Sequence, residues 1–385
     1  MLKNLWLIAL TIPALLIGCG GEPDPTDDDD DAVRYPILVE VSPSLNQTDF
    51  FYRSSLVAEF DIAPDSVTVT LTDADGNAVD GTETVETNGR VVTFDPTADL
   101  MSSSAYTMTV EWSPTEEGQA AFENAFQTSS HGGDVGEPAT MIGNVYNIDL
   151  AGATFVDPPG IGPILQSQMD GFSVLFTAIE EGTDFDSGVL HVMGAIGADD
   201  GGAISQDACA PTLAFTAGDD GVVGTADDTP ATWNNPEMLL EADELPLTIQ
   251  GVTATIQDLV ISGTFHPDMT NMRGGVFGGV IDTRPLVGAL GSGESETEIC
   301  DLVESTVGVP CISCTDDGDD TDDLFCLSIL AEDLAADVIE GLTLQDRPCD
   351  VIIGDFVADG SCADEAASYD ADADGTYELC PEFTP

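Results

Sequence analysis

The stretch SVTVTLTDADGNAVDGTE, residues 66–83, indicates how the N-terminal part of the chain folds. Val67, Val69 and Leu71 alternate with threonine, which is the period of a half-buried β-strand. The DADGN segment that follows supplies turn residues, so the stretch predicts a β-hairpin. Its acidic residues are expected to form the turn, and a metal-binding loop is the alternative.

Further short, alternating segments occur on both sides of this stretch, between residues 35 and 129. In SLVAEFD, Leu56, Ala58 and Phe60 would lie on one face of a strand. The others are YPILVEVSPS, TVETNGRVVTFDP, AYTMTVEW and AFENAFQTS. About seven short strands separated by turns predict a β-sandwich.

Several motifs of this region together resemble a known domain family. They are the SP pair at the start, DADGN, TFDP, the pattern Y-x-x-x-V beginning at Tyr106, and F-x-T at the end. This arrangement is similar to the bacterial Ig-like domain of the S-layer (SbsA) type, although SLNQTDFFYR replaces that family's usual first turn. The resemblance implies an Ig-like fold over residues 35–129, with Tyr106 as a core or corner tyrosine. It also implies a spacer or presenter on a cell surface.

The N-terminus carries a second resemblance. Residues 5–17 are almost wholly apolar, long enough for a signal peptide and too short for a bilayer span. The sequence LIGC that ends at Cys19 resembles the lipobox of bacterial lipoproteins. That resemblance implies removal of residues 1–18 and acyl chains on Cys19, which would anchor the chain in membrane lipid. Gly20 favours the outer membrane, facing the periplasm or the surface, and an ordinary secretory signal is the alternative.

Composition separates a tether from folded domains. Residues 19–34 include a run of five aspartates and two prolines, and this predicts an acidic, disordered tether. The whole chain has 385 residues, with 72 Asp and Glu against 7 Lys and Arg. Such a charge excludes nucleic acid as a partner. Because 42% of the residues are hydrophobic, the remainder is expected to fold.

A glycine-containing linker over residues 130–138 precedes a second domain, residues 139–385. The β-rich runs of this domain predict a mostly antiparallel sheet that closes on itself, or a sandwich. One short helix is expected in SETEICDLVEST, with Ser295 as its cap and Ile299, Leu302 and Val303 on one face. A second is expected in ILAEDLAADVIE, residues 329–340.

Eight cysteines follow residue 200, and an even number in an exported chain indicates disulfide bonds. They are Cys209, Cys300, Cys311, Cys314, Cys326, Cys349, Cys362 and Cys380. Eight cysteines allow 105 pairings, so the sequence does not select one. The local pairs Cys300–Cys311 and Cys314–Cys326 are our guess, and a zinc site at the same four residues is the alternative.

The segment YDADADGTYELC contains a candidate calcium loop. Carboxylates at alternate positions can converge on one cation when a glycine turns the chain. The candidate ligands of Ca²⁺ are Asp370, Asp372, Asp374, Thr376 and Glu378. A solvated acidic turn is the alternative, because the twelfth position, which is glutamate in an EF-hand loop, is proline here.

The sequence contains none of the nucleophile, zinc-protease or phosphate-loop motifs, and its three histidines show no informative spacing. We expect His131 to be exposed in the linker and His191 to face the sheet surface. The expected protein is therefore mainly β and not an enzyme: a lipid-anchored envelope protein that presents a distal binding, adhesion or structural domain to a protein or glycan ligand. The alternative is a carrier in which residues 245–290 line an apolar cavity, and a hydrolase ranks third.

Overall fold

The computed structural model describes residues 34–114, 120–160, 173–199, 202–213, 216, 228–249, 252–287, 295–314, 324–363 and 366, with the backbone alone at 199, 243–249 and 252–254. These ranges are mostly strand. Their named strands pair in antiparallel ladders, as the sequence predicts.

The first seven strands in the described residues form two sheets, which we call the N-terminal sandwich. They are β1 (Leu38–Ser42), β2 (Leu56–Phe60), β3 (Ser66–Asp73), β4 (Gly81–Val85), β5 (Val91–Pro96), β6 (Ala105–Ser113) and β7 (Ala120–Gln127). One sheet has the order β1-β2-β5-β4 and the other the order β3-β6-β7. The predicted number of strands is therefore confirmed.

The core of the N-terminal sandwich lies between these sheets. Leu56, Ala58 and Phe60 are all fully buried on one face of β2, as their spacing predicts. Trp112 packs edge-on against Phe60, with ring centroids 5.5 Å apart. Tyr106 is buried, and its hydroxyl accepts a hydrogen bond from the Met101 amide at 2.9 Å, so the predicted corner role is confirmed.

The DADGN segment forms the turn of a short hairpin, as predicted: Thr72 and Ala78 form an antiparallel bridge, and the Asp73 amide donates to the Asn77 carbonyl at 2.9 Å. The carboxylate of Asp73 accepts hydrogen bonds from the amides of Asp75 and Asn77, at 2.9 and 2.8 Å. The two flanking strands belong to different sheets, because β3 pairs with β6 and β4 pairs with β5. After this short hairpin the chain therefore crosses from one sheet of the sandwich to the other.

The other strands of the described residues form one large sheet, which we call the distal sheet. They are β8 (Tyr146–Asp149), β9 (Thr154–Asp157), β10 (Ser173–Ala178), β11 (Val189–Leu190), β12 (Val192–Asp199), β13 (Ile204–Gln206), β14 (Ala231–Asn234), β15 (Glu237–Ile249), β16 (Val252–Phe265), β17 (Asn271–Asp282), β18 (Ile312–Ser313) and β19 (Leu324–Val338). The main path runs β11-β14-β15-β16-β17-β19-β8-β10-β12-β13, and β9 and β18 pair with β19.

The predicted helix over residues 329–340 is wrong, because this segment belongs to β19. The strand pairs with β17 along most of its length and with β8, β9 and β18 on its other side. It is buried where these neighbours cover it, so its apolar residues follow no strict two-residue alternation. Tertiary pairing here overrides the helix propensity of its alanines and leucines.

Two α-helices occur in the described ranges: α1 (Glu298–Val307) and α2 (Cys349–Asp359). The predicted helix at α1 is confirmed, but two details are wrong. Thr297 occupies the N-cap position, since the chain enters the helix two residues after Ser295. Ile299 and Val303 are buried while Leu302 is exposed, so the buried stripe is narrower than predicted.

Disulfide bonds hold the periphery of the distal sheet. The structure contains both local pairs, Cys300–Cys311 and Cys314–Cys326. A third bond joins Cys209 to Cys362, which are 153 residues apart, and Cys349 is disulfide-bonded as well. The Cys300–Cys311 bond joins α1 to the residue before β18, and the Cys209–Cys362 bond joins the segment after β13 to the segment after α2. In the described part of the chain, no helix has the length and apolar character needed to cross a membrane.

Candidate functional site

The N-terminal sandwich meets the distal sheet at a junction of two loop regions and one turn. Residues 49–53 and 129–132 come from the sandwich side, and residues 266–271 connect β16 to β17. The Ser129 amide donates to the Phe50 carbonyl at 2.8 Å, which ties the two loop regions together. Because each segment is fixed by backbone hydrogen bonds, the side chains at the junction have defined positions.

Tyr52 and Arg53 form the polar edge of the junction. The Tyr52 hydroxyl lies 3.4 Å from both Glu237 Oε1 and Thr264 Oγ1, at the ends of β15 and β16. Arg53 forms an ion pair with Glu237 and donates from Nε to Asp99 at 2.8 Å. Burial raises the pKa of Tyr52, so this hydroxyl stays protonated and able to donate.

Two glycines permit the close approach. Gly132 has a φ of +84°, and a Cβ there would lie 2.9 Å from the Tyr52 ring. Gly274 has a φ of +59°, and a Cβ there would lie 2.1 Å from the Phe51 ring. Any larger residue would be strained in its backbone and would also push an aromatic ring out of the junction.

A cleft of about 360 Å³ opens beside these rings. Its lining residues are Asp49, Phe51, Ser129, His131, Asn271, Arg273, Gly274 and Asp333. The Arg273 guanidinium is already engaged, since it donates to the Ala336 carbonyl at 3.1 Å and to Asp337 at 2.7 Å. The cleft is therefore lined mainly by polar side chains, with the Phe51 ring as one aromatic wall.

Two series of hydrogen-bonded side chains, each with a serine and a histidine, lie side by side in the junction; we call them hydrogen-bond chains. In the first, His131 Nδ1 lies 3.2 Å from Ser129 Oγ, and His131 Nε2 lies 2.7 Å from Asn271 Oδ1. The amide oxygen only accepts, so Nε2 carries the proton and Nδ1 accepts from the serine. Burial lowers the pKa of His131, and His131 is therefore neutral near pH 7.

The second chain ends on a carboxylate. Ser130 Oγ is hydrogen-bonded to His266 Nε2, and His266 Nδ1 lies 2.5 Å from Asp268 Oδ1. Burial raises the pKa of Asp268, but hydrogen bonds from Thr270 and His266 outweigh it and hold that pKa below its usual value. The two imidazoles meet edge to face, with ring centroids 5.2 Å apart.

The predictions for two histidines are wrong. His131 is 7% exposed rather than free in a linker, because Phe51, His266 and Asn271 surround it. His191 is 4% exposed rather than on the sheet surface. The Nε2 atom of His191 lies 3.9 Å from Asp228 Oδ2, and the side chains of both residues are buried.

The junction was not identified from the sequence. His266 is 136 residues from its partner Ser130, and His131 is 140 residues from Asn271, so no local spacing links them. The available signals were the segments SSHGG and HPD, which place a polar cluster in loops. Neither segment shows which other loop it meets.

The predicted site residues have different outcomes. Cys19, Cys380 and the calcium candidates Asp370, Asp372, Asp374, Thr376 and Glu378 lie outside the described residues, so those sites stay predictions. The four cysteines of the alternative zinc site are joined in two disulfides and have no thiolate to offer a metal. A close set in the described ranges, Asp282 with Cys314 and Cys326, includes one of these disulfides.

Comparisons with known proteins agree with the description of the N-terminal sandwich. Residues 32–128 match the family model of the bacterial Ig-like domain. The N-terminal sandwich is therefore an Ig-like domain, as the resemblance implied, and this match covers about a quarter of the chain. No curated protein matches the chain.

Among solved structures, CopC from Methylosinus trichosporium OB3b is similar at 17% identity and a TM-score of 0.22, covering 24% of this chain and 93% of that one. PcoC, a copper resistance protein from Escherichia coli, is similar at 11% identity and a TM-score of 0.21, covering 24% and 99%. An uncharacterised protein of Listeria monocytogenes EGD-e has 10% identity and a TM-score of 0.16, covering 63% and 21%. At these TM-scores the likenesses have no bearing on function.

Proposed function

We propose that this chain is a lipid-anchored protein of the bacterial cell envelope in which an Ig-like domain holds a distal β domain away from the membrane. The distal domain would then have a binding, adhesion or structural role toward a protein or glycan. The acyl chains on Cys19 would insert in the outer membrane, and the acidic segment that follows would separate the folded part from the lipid surface.

The observation that carries this proposal is the junction. A flexible string of domains needs no specific contacts between its members, whereas here Tyr52 and Arg53 reach Glu237 and Thr264. Gly132 and Gly274 allow the rings of Tyr52 and Phe51 to pack closely against the backbone at this contact. An Ig-like domain fastened in this way fixes the direction of the distal sheet, which is what a presenting spacer requires.

The anchor is tested by expressing the full chain in a Gram-negative host that is fed labelled palmitate. Wild type and Gly21→Ala should incorporate label and sediment with outer membranes. Cys19→Ser should incorporate none and move to the soluble periplasmic fraction, because it lacks the thiol that accepts the lipid. Retention of the label, or of the membrane location, by Cys19→Ser would contradict lipid anchoring at this residue.

Calcium dependence of the distal domain is a separate part of the proposal. Melting of the chain is compared in calcium and in EDTA at matched ionic strength, with Asp374→Asn as the variant. A cation that binds the folded state stabilises it by RT ln(1 + [Ca²⁺]/Kd), so calcium should raise the melting temperature of wild type and not that of Asp374→Asn. Equal melting temperatures in the two buffers would leave the acidic loop as a solvated turn.

A further inference from the structure

We propose that Ser130 is an activated nucleophile that attacks small uncharged carboxylic esters, with His266 as its general base and Asp268 as the residue that positions His266. Ser130, His266 and Asp268 are joined in the hydrogen-bond order of a serine hydrolase triad. This activity is independent of the presenting role and of the lipid anchor.

The neighbouring hydrogen-bond chain, through Ser129, His131 and Asn271, shows why the carboxylate of Asp268 matters. Ser129 and His131 repeat the serine–histidine contact, but their chain ends on the neutral amide of Asn271. When a histidine takes the serine proton it becomes an imidazolium, and a carboxylate stabilises that cation far better than an amide does. The two chains therefore have the same hydroxyl and ring but different capacity to act as a base.

The two hydrogen-bond chains also differ in solvent exposure, and the difference again favours the one that ends on Asp268. The side chains of His266 and Asp268 are 27% and 57% exposed, and Ser130 is only partly buried. Ser129 and His131 are 9% and 7% exposed. A reagent from solution therefore meets more exposed surface on His266 and Asp268 than on Ser129 and His131, which contribute only small areas to the wall of the cleft.

The step balances without any further reactant than water. The Ser130 oxygen bonds to the ester carbonyl carbon as His266 Nε2 takes the hydroxyl proton, and the ester C–O bond breaks as that proton passes to the departing alkoxide. Water then attacks the acyl-serine carbonyl, with the same nitrogen as base, and releases the acid and free Ser130. The sum is ester plus water to acid plus alcohol.

The charges around the site define the substrate class. Asp268 lies beside the reacting groups. Asp49 and Asp333 line the cleft next to His131, whose ring centroid is 5.2 Å from that of His266. Arg273 does not offset them, because Asp337 and two carbonyl groups already hold its guanidinium. An anionic ester would be repelled, so the site should prefer neutral esters with short acyl groups, such as acetyl groups on hydroxylated carriers.

The test uses the full chain in detergent, treated with diisopropyl fluorophosphate and digested with Glu-C. Because Pro138 blocks cleavage after Glu137, cleavage after Glu123 and Glu180 yields one peptide, residues 124–180, that contains both serines. Fragment masses should place the phosphoryl group on Ser130. Labelling should be lost in Ser130→Ala and unchanged in Ser129→Ala, and wild type should also hydrolyse p-nitrophenyl acetate faster than Ser130→Ala does.

Variants of the base and its positioning residue separate chemistry from folding. His266→Gln and Asp268→Asn should each slow labelling by about 10²-fold, the lower range for general-base catalysis. Asp268→Glu should recover part of the rate. Asp268 also accepts hydrogen bonds from Thr270. Thr270→Val therefore tests the effect of loosening this turn alone. It should keep at least half of the wild-type labelling rate.

Two results would overturn the proposal. One is the absence of an adduct on Ser130 under conditions that fully label a control serine hydrolase. The other is a labelling rate in His266→Gln equal to that of wild type, with both proteins melting at the same temperature. If His266→Gln does not fold, Ser130→Ala and Ser129→Ala still decide the matter through the position of the adduct and the p-nitrophenyl acetate rate.

Discussion

The N-terminal sandwich and the distal sheet are stabilised in different ways. The sandwich has no cysteine, and its two sheets enclose a continuous apolar core. The distal sheet has its own core, but disulfides join α1 to Cys311 and the segment after α2 to Cys209. In α2 only Ile352 and Ile353 are buried. Small peripheral elements that bury so little apolar surface require covalent attachment, whereas a closed sandwich does not.

The largest expected effect is on the sandwich core. Phe60→Ala removes a fully buried ring that packs on Trp112, and should lower the free energy of unfolding of the sandwich by about 3–5 kcal/mol. Val39→Ala, at an exposed position, should change it by about 0.5 kcal/mol or less. Trp112 fluorescence in urea reports the sandwich and Trp233 the distal sheet. Equal losses in the two variants would contradict the assignment of the core.

Removal of disulfides tests the other half of the comparison. The double variant Cys209→Ser with Cys362→Ser should lose about 2–5 kcal/mol, because its bond closes a long loop in the unfolded chain. Cys300→Ser with Cys311→Ser should lose less, since that bond spans 11 residues. Urea unfolding followed through Trp233 measures both. A larger loss for the short loop would show that the bonds act mainly through native contacts.

The sequence indicated the sandwich more fully than the distal sheet, for a physical reason. The strands of the sandwich have one face in the core and one in solvent, so Leu56, Ala58 and Phe60 show a clear two-residue period. Every residue of β10 is buried, and β19 is contacted on both sides. Such strands lose the alternation that distinguishes them from helices, and β19 was accordingly predicted as a helix.

The candidate site could not be predicted for a different reason. Disulfides depend on residue type and compartment, so cysteine counting indicated them. The junction depends on which loops meet. Its histidines come from segments that, taken one at a time, show no functional motif. Local sequence carries no information about such long-range pairs.

Acidification should weaken the junction more than either domain. Because burial lowers the pKa of His131, the unfolded state takes the proton first as the pH falls. The contribution of His131 to stability is complete above the unfolded pKa of about 6.5 and is lost as the pH falls from there toward the folded pKa. Hydrogen exchange of junction amides at pH 7.5 and 5.5 measures this loss.

The control for acidification is His131→Gln, which cannot titrate at this position. Nearby charges from His266, Asp268 and Arg273 remain in that variant, so the difference between the two proteins isolates His131. After the exchange rates are normalised to the intrinsic rate at each pH, wild type should show a larger increase in amide opening at pH 5.5 than the variant. An equal increase in both would assign the effect to the surrounding carboxylates.

The smallest expected effect concerns one hydroxyl. Tyr52→Phe removes the contacts to Glu237 and Thr264 but keeps the ring against Gly132. At 3.4 Å these hydrogen bonds are long, so the loss should be about 0.5–1 kcal/mol. Urea unfolding of this variant should shift both tryptophan transitions slightly. A shift of the Trp112 transition alone would mean that the hydroxyl does not couple the two parts.

The fixed junction is the central claim, and a distance distribution tests it most directly. Spin labels on unnatural amino acids at the exposed positions Glu86, in the sandwich, and Glu340, after β19, leave all disulfides intact. Pulsed electron paramagnetic resonance should give one narrow distance in wild type and a broader distribution in Gly274→Leu, which displaces the Phe51 ring. A broad distribution in wild type, unchanged by Gly274→Leu, would contradict a fastened Ig-like spacer.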